Sequence, residues 1–285
     1  KVLPNIDLQR ILAEYIGYIF IRTSTLKLEQ ALILFGSGAN GKSVFYEIVT
    51  CLFGNENIAT YSLQTLTNDT GYQRAMIANK LVNYASEING KLEASIFKQL
   101  VSGEPVEARL PYGNPFIMSD YAKLIFNCNE LPWNVEHTNA FYRRFLIIPF
   151  EVTIPEGEQD KELAKKIIDS ELSGVFNWVL DGLKRLLLQK RFTYCEAVRQ
   201  AREQYEKESD SVKLFLEESG YTKCADSHVA LENIFREYQR FCFDDGYHSV
   251  SKLKFRKRLE AAGIQTDKKN IGKVVFVKKA QNSYS

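Results

Sequence analysis

Eight consecutive residues, Gly36-Ser37-Gly38-Ala39-Asn40-Gly41-Lys42-Ser43, carry the pattern G-x-x-x-x-G-K-S. An apolar run, residues 31–35, leads in, and a mixed apolar stretch, residues 44–49, leads out. Buried strand, glycine-rich turn and helix are the setting in which this pattern binds a phosphate chain. The glycines let the backbone approach a triphosphate and turn its N–H groups inward, where the positive end of the helix adds to the attraction. Lys42 then reaches the β- and γ-phosphates, and Ser43 offers its hydroxyl to Mg²⁺. Gly36, Gly38, Ala39, Asn40, Gly41, Lys42 and Ser43 are therefore the expected nucleotide-binding residues, with ATP and Mg²⁺ as ligands.

Three further apolar runs end or begin in residues able to serve such a site. Residues 80–87, Lys-Leu-Val-Asn-Tyr-Ala-Ser-Glu, read as a strand ending in a carboxylate. Glu87 is the candidate base that polarises an attacking water, and a second contact to the metal. Residues 122–129 read as a strand ending in the polar Asn129, and residues 145–150 as a strand preceded by Arg143 and Arg144. Strands alternating with helices predict an α/β fold, a parallel sheet with helices on both faces and its ligand at the carboxyl ends of the strands. Gly36, Glu87 and Asn129 fall at such ends.

Residues 104–116 contain Pro105, Pro111, Gly113-Asn114 and Pro115, the punctuation of a hairpin. Arg109 and Tyr112 lie in it. A cation and an aromatic at a loop tip can hold a nucleic-acid backbone and stack on its bases; they can equally be plain exposed residues.

With 285 residues, the chain is long enough for about two domains. Its 45% hydrophobic and 25% charged content is that of an ordinary globular protein. No apolar run approaches the ~20 residues of a membrane span, and no signal peptide is visible, so a cytoplasmic location and no membrane partner are expected. The first residue is Lys1, which predicts a piece of a longer protein. The five cysteines show no C-x-x-C spacing, so reduced thiols and no zinc site are expected. His137, His228 and His248 are scattered and take no role. The net charge is only +2, yet from Ser251 onward ten basic residues face two acidic ones. A basic end on a near-neutral protein points to a polyanion; a solvated charged face is the plainer alternative.

Around these residues the elements are expected as follows. Residues 7–21 carry apolar side chains at helical spacing, with Asp7 placed as the cap. Residues 54–74 are irregular, and residues 92–101 form a short helix. Residues 159–207 are helical. Beyond Asp210, helices over 212–218, 229–243 and 252–262, the last capped by Ser249 or Ser251, precede a hairpin around residues 270–272. This is the order of a winged helix-turn-helix. Lys252, Lys254, Arg256 and Lys257 on its third helix would enter a DNA groove, while Lys268 and Lys269 on the wing touch phosphates; docking onto a protein is the alternative use. The expected division is residues 1–27 as a helical segment, 28–155 as the ATPase core, 156–207 as a helical lid or linker, and 208–285 as the winged helix.

The phosphate loop GSGANGKS, LVNYASE, KQLVSGEPVEAR, IFNCNELP and YRRFLIIPF, in this order, resemble superfamily 3 helicases, above all the primase-helicases and replication proteins of phages, plasmids and other mobile elements. The resemblance covers residues 26–152. It implies an AAA+ P-loop ATPase core with a hairpin inserted before its fourth strand. Lys42 and Ser43 would bind phosphate and Mg²⁺, Glu87 would be the catalytic carboxylate, and Asn129 would sense the γ-phosphate. Arg143 or Arg144, with Arg144 favoured beside the strand, would be the arginine finger of a neighbouring subunit. Lys98, Arg109 and Tyr112 would belong to the region that grips single-stranded DNA. A homo-oligomeric ring, a hexamer, is implied, with a primase or other replication protein as a further partner. Two departures stand out. Ser86 replaces the second acid that many relatives carry before the glutamate, and residues 112–115 lack the lysine-histidine pair of the viral members.

The expected function is thus an ATP-driven DNA helicase of a mobile element, moving 3′ to 5′ as the resemblance implies. The rival is a DNA-binding ATPase switch, an initiator or helicase loader that unwinds nothing. A small-molecule kinase is a third possibility that the basic C-terminus serves poorly.

Overall fold

The computed structural model describes residues 1–86, 88, 92–132, 135–269 and 272–279. The chain divides into two compact units, Lys1–Tyr205 and Glu206–Ser285.

The first unit runs α1 (Ile6–Tyr18), β1 (Ala31–Phe35), α2 (Lys42–Phe53), β2 (Ile58–Ala59), α3 (Leu63–Leu66), α4 (Tyr72–Ala75) and β3 (Val82–Ala85). It continues through α5 (Ala94–Ser102), β4 (Val106–Arg109), β5 (Pro115–Met118), β6 (Lys123–Cys128), α6 (Asn139–Tyr142) and β7 (Phe145–Pro149). It ends with the long helix α7 (Leu163–Gln189) and most of α8 (Glu196–Glu208), whose last three residues fall in the second unit. Five strands form one all-parallel sheet in the order β2-β3-β6-β1-β7. Strands covered on both faces need apolar residues at every position, which is why Ala-Leu-Ile-Leu-Phe of β1 shows no alternation.

The pleat still sorts these residues into two layers. Ile33, Phe126 and Ile147 join one cluster with Phe97 of α5 and Phe141 of α6. Leu34, Ile125 and Ile148 join the other with Ile11 of α1, Val49 of α2 and Val179 of α7. In that second layer α1 and α7 touch backbone to side chain. A Cβ on Gly182 would lie 2.3 Å from the Ala13 carbonyl carbon, and one on Gly17 would lie 2.7 Å from Leu183 Cβ. The buried Glu14 ties the crossing together, accepting from Arg185 Nε at 2.6 Å and from the Thr193 backbone N–H at 2.7 Å.

Two local expectations change. The cap of α1 is Asn5, whose side chain accepts from the N–H groups of Asp7 and Leu8, so Asp7 sits inside the first turn instead. Residues 54–74, expected to be irregular, hold β2, α3 and most of α4. A two-residue strand and single-turn helices are too short to leave a readable period.

The hairpin β4–β5 pairs antiparallel just before β6, the fourth strand of the parallel sheet in chain order. Val106 and Ala108 face the core, Glu107 and Arg109 face outward, and the connecting residues 110–112 are exposed.

The second unit contains α9 (Ser211–Glu218), β8 (Tyr221–Lys223), β9 (Val229–Ala230), α10 (Leu231–Asp244), α11 (Lys252–Ala261), β10 (Thr266–Lys269), β11 (Gly272–Val275) and β12 (Val277–Lys279). Phe215, Tyr238 and Phe255, one from each helix, form its centre, with Tyr238 stacked on Phe255 at 4.6 Å between ring centroids. The Tyr238 hydroxyl pairs with Ser211 Oγ at 2.8 Å and accepts the Val250 N–H at 2.9 Å. Ser251, not Ser249, caps α11. β10 and β11 pair antiparallel, and β11 pairs with β9. Among the described residues no helix is long and apolar enough to cross a membrane.

Candidate nucleotide site and nucleic-acid surfaces

Residues 36–41 turn directly from the carboxyl end of β1 into α2. Gly38 and Gly41 adopt φ of +122° and +85°, where a side chain would strain the backbone. Gly36 is needed for another reason: a Cβ there would lie 2.4 Å from the Phe150 carbonyl oxygen and 2.4 Å from Asn40 Nδ2. The Asn40 amide fills that corner, donating to the Phe150 oxygen at 3.1 Å and accepting from Lys42 Nζ at 3.1 Å. Phe150 N–H donates to the Phe35 oxygen at 2.7 Å, and Ile154 N–H to the Ala39 oxygen at 2.8 Å. The loop is thus braced from the end of β7.

Lys42 is buried, and its ammonium also donates to the Gly36 carbonyl at 2.5 Å. Burial lowers its pKa, and the nearby Cys128 acts in the opposite sense. The Cys128 thiol is in turn pushed up to about 12 by burial, with Lys42 pulling it back. The Lys42 ammonium's partners are the Gly36 and Asn40 oxygens, and among the described residues no carboxylate pairs with it. Ser43 is exposed beside it. A cleft of about 570 Å³ opens over the loop, lined by residues 1–2, by residues 38–44, by Asn129, and by Ile154, residues 158–161 and Leu163. The first N–H groups of α2 have no partners within the helix. A buried lysine, those N–H groups and an adjacent hydroxyl form a donor set that fits a polyphosphate with its divalent metal.

The register of the sheet brings the other candidates to known edges. Phe35 pairs with Cys128 and Ala85 with Phe126, so β1, β3 and β6 end on the same edge. Asn129 stands exposed there beside the loop. Ser86 is exposed, and Glu87 lies outside the described residues. Sequence reasoning missed Asn127. Its amide accepts from the Tyr84 hydroxyl at 2.9 Å and donates to the Lys42 carbonyl at 3.4 Å, linking β3 and β6 to the start of α2. A polar residue inside the apolar run Leu-Ile-Phe-Asn-Cys was the available signal.

Arg143 and Arg144 precede β7 at the opposite edge. Ala31 pairs with Phe145 and Phe35 with Pro149, so the length of β1, roughly 13 Å at ~3.3 Å per residue, separates them from the loop of their own chain. Their environments differ. Arg144 is buried, donating to the Ala140 oxygen and to Ser102 Oγ at 3.0 Å. Arg143 is half exposed, with the Glu29 carboxylate 3.3 Å away. Glu29 also lies 3.7 Å from Arg144 and 3.1 Å from Lys27.

At the hairpin, Tyr112 is fully exposed with φ of 60°, and Arg109 Nε donates to the Gly113 oxygen at 2.9 Å. These two are brought together. Lys98 is on α5, with its ammonium 2.8 Å from Glu136. In the second unit, Lys252 pairs with Glu232 and Arg256 with Glu260 at 3.4 Å, along the helix. Lys254 and Lys257, three residues apart on α11, are exposed and have no ion-pair partner among the described residues. Arg258 is turned inward to the Asp210 carboxylate at 3.2 Å. Lys268 is paired across the strands with Lys273, two like charges side by side, and Lys269 lies 3.5 Å from His228 Nδ1.

No curated protein matches this sequence. Two apo structures of the C-terminal region of NrS-1 are similar in fold, each with a TM-score of 0.53, at 13% and 12% identity, covering 94% of this chain and 70% of theirs. A structure of JCV helicase with a bound small molecule matches at a TM-score of 0.37 and 12% identity, over 75% of this chain and 62% of its own, a likeness too low to bear on the fold. Residues 34–144 match the model of a family of unknown function, DUF5906, a span that begins within β1, includes the phosphate loop and the hairpin, and ends at Arg144.

Proposed function

We propose that this chain is an ATP-hydrolysing DNA motor of the superfamily 3 type, a replicative helicase that works as a ring, by resemblance a hexamer, moving 3′ to 5′. The observation that carries this reading is the opposition of two edges. The phosphate loop with Asn129 lies at the carboxyl ends of the strands, and an exposed arginine lies at their amino ends. A site that holds phosphate at one edge and offers a guanidinium at the other is complete only when copies of the chain meet head to tail.

In that arrangement Lys42 and the N–H groups of the loop neutralise and position the β- and γ-phosphates. Ser43 would hold a Mg²⁺ ion, which would supply neutralisation of the phosphate charge. Asn129 orients the attacking water, and Glu87 takes its proton. A neighbour's guanidinium then meets the charge that develops on the γ-phosphate, a contribution worth ~10³–10⁵ in rate in such enzymes. The exposure of Arg143 and the burial of Arg144 favour Arg143 for this role. Asn127, bonded to the Lys42 carbonyl, holds the start of α2 against β6 and so positions Lys42.

Tyr112 and Arg109 at the hairpin tip suit a single strand, by stacking and by phosphate contact. The second unit, with α10, α11 and the β10–β11 ribbon, suits a winged helix in which Lys254, Lys257 and Lys268 face duplex DNA. A primase or another replication protein would be a natural companion.

The test is ATP hydrolysis with and without single-stranded DNA, run beside strand separation on tailed duplexes. DNA-stimulated multiple turnover with unwinding, both lost in Lys42→Ala, is the expected outcome. Slow single-turnover hydrolysis without unwinding would identify an ATP-controlled assembly switch instead.

A further inference from the structure

A second cleft, of about 480 Å³, opens at the amino ends of β3 and β6, the edge of the sheet away from the phosphate loop. It lies between residues 19–24 after α1, residues 79–81 before β3, and residues 119–123, which join the hairpin strand β5 to β6. Lys123 opens β6 there. Its ammonium sits 4.5 Å from the centroid of the Tyr18 ring and donates to Thr23 Oγ1. No carboxylate lies within ion-pair distance of it among the described residues. Lys80 donates to the Glu56 carbonyl, and Arg22 lies 4.0 Å from Asp120 with both side chains exposed. Three cations therefore meet one acid around this cleft.

A half-buried ammonium whose nearest acid, Asp120, lies beyond ion-pair distance is costly to desolvate, and one ring face and one hydroxyl compensate only in part. Burial pulls Lys123 down to about 8, with Asp120 opposing the shift. Among the described residues, the other lysine that burial lowers in this way is Lys42, in the phosphate loop. The same physical condition, an amine lining a cleft with no carboxylate within ion-pair distance among the described residues, recurs at the opposite edge of one sheet.

We propose that this cleft is a second phosphate-binding site, in which Lys123, Arg22 and Lys80 hold one phosphate group, either of a small anion or of a nucleic-acid backbone reaching it from the hairpin. Lys123 supplies the desolvated charge, Thr23 fixes its direction, and Arg22 and Lys80 guard the mouth. The site does not depend on ATP hydrolysis, so it stands or falls separately from the motor reading.

The experiment is calorimetric titration of pyrophosphate into the Lys42→Ala chain, where the phosphate loop is disabled, and into the unaltered chain with its loop saturated by Mg-ADP. One site is expected in both formats. Lys123→Met, which keeps the stem and removes the charge, should weaken it about tenfold, equivalent to about 1.4 kcal/mol. Lys123→Arg should restore the affinity, and Arg22→Ala, at an exposed position, should weaken it with the melting temperature unchanged. Displacement of pyrophosphate by oligo-dT assigns the phosphate to a strand, and its failure assigns it to a free anion; the site stands in either case. No pyrophosphate binding in either format, or an affinity in Lys123→Met and Arg22→Ala equal to that of the chain without those substitutions, would overturn the proposal.

Discussion

Arg143 and Arg144 are neighbours in opposite surroundings. Arg144 is enclosed by Ala140, Ser102 and Glu29 of its own chain, so truncation leaves Ser102 Oγ and the Ala140 carbonyl without their donor. Arg144→Ala should lose roughly 2–3 kcal/mol of stability in urea denaturation. Arg143→Ala removes a half-exposed side chain and should change stability by less than about 0.5 kcal/mol. Lys123 gives a pH signature of its own. Its folded pKa, lowered to about 8 by burial, lies below the ordinary lysine value, so the unfolded chain binds more protons between the two. Its contribution should make the protein more stable as pH rises from about 8 towards 10. The groups around the amine are the Tyr18 ring, the Thr23 hydroxyl and the Asp120 carboxylate, with Arg22 and Lys80 at the mouth. Lys123→Met should flatten that rise and raise stability at pH 7, as read by melting curves across pH.

At the level of elements, the crossing of α1 and α7 is the contact least able to accept change. Gly182→Ala would drive a methyl into the backbone of Ala13, and the helices would have to part. A loss of about 1–3 kcal/mol is expected in chemical denaturation, with the Glu14–Arg185 contact loosened as well. This crossing was not legible in the sequence, because a glycine's partner is a tertiary fact. The strands that frame the phosphate loop were legible, since β1, β6 and β7 lie in a parallel sheet buried on both faces; β1 and β7 read as unbroken apolar runs, and β6 as one interrupted by Asn127 after its opening Lys123. β2, α3 and α4 were not, since each spans little more than one period and so leaves no repeat to read. The loop announced itself through glycine, lysine and serine spacing. Asn127 did not, because its value lies in facing Tyr84 and the Lys42 carbonyl across two other elements. The choice between the two arginines was equally hidden, since nothing local decides which one folds inward.

For the molecule as a whole, the two edges of the sheet would set the terms of assembly in the proposed ring. A phosphate cradle at one edge and a guanidinium at the other cannot meet within one chain across the length of β1. Activity should therefore depend on protein concentration, and its defects should complement. Arg143→Ala keeps an intact cradle and lacks what it offers its neighbour; Glu87→Gln keeps Arg143 and lacks its own carboxylate. ATP hydrolysis by mixtures of these two variants is the most direct test. Each alone should bind ATP and turn over little, and the mixture should recover a fraction of the unaltered rate that peaks near equal amounts. A mixture no more active than its components, or an Arg143→Ala chain with undiminished hydrolysis, would contradict an active site shared between neighbours.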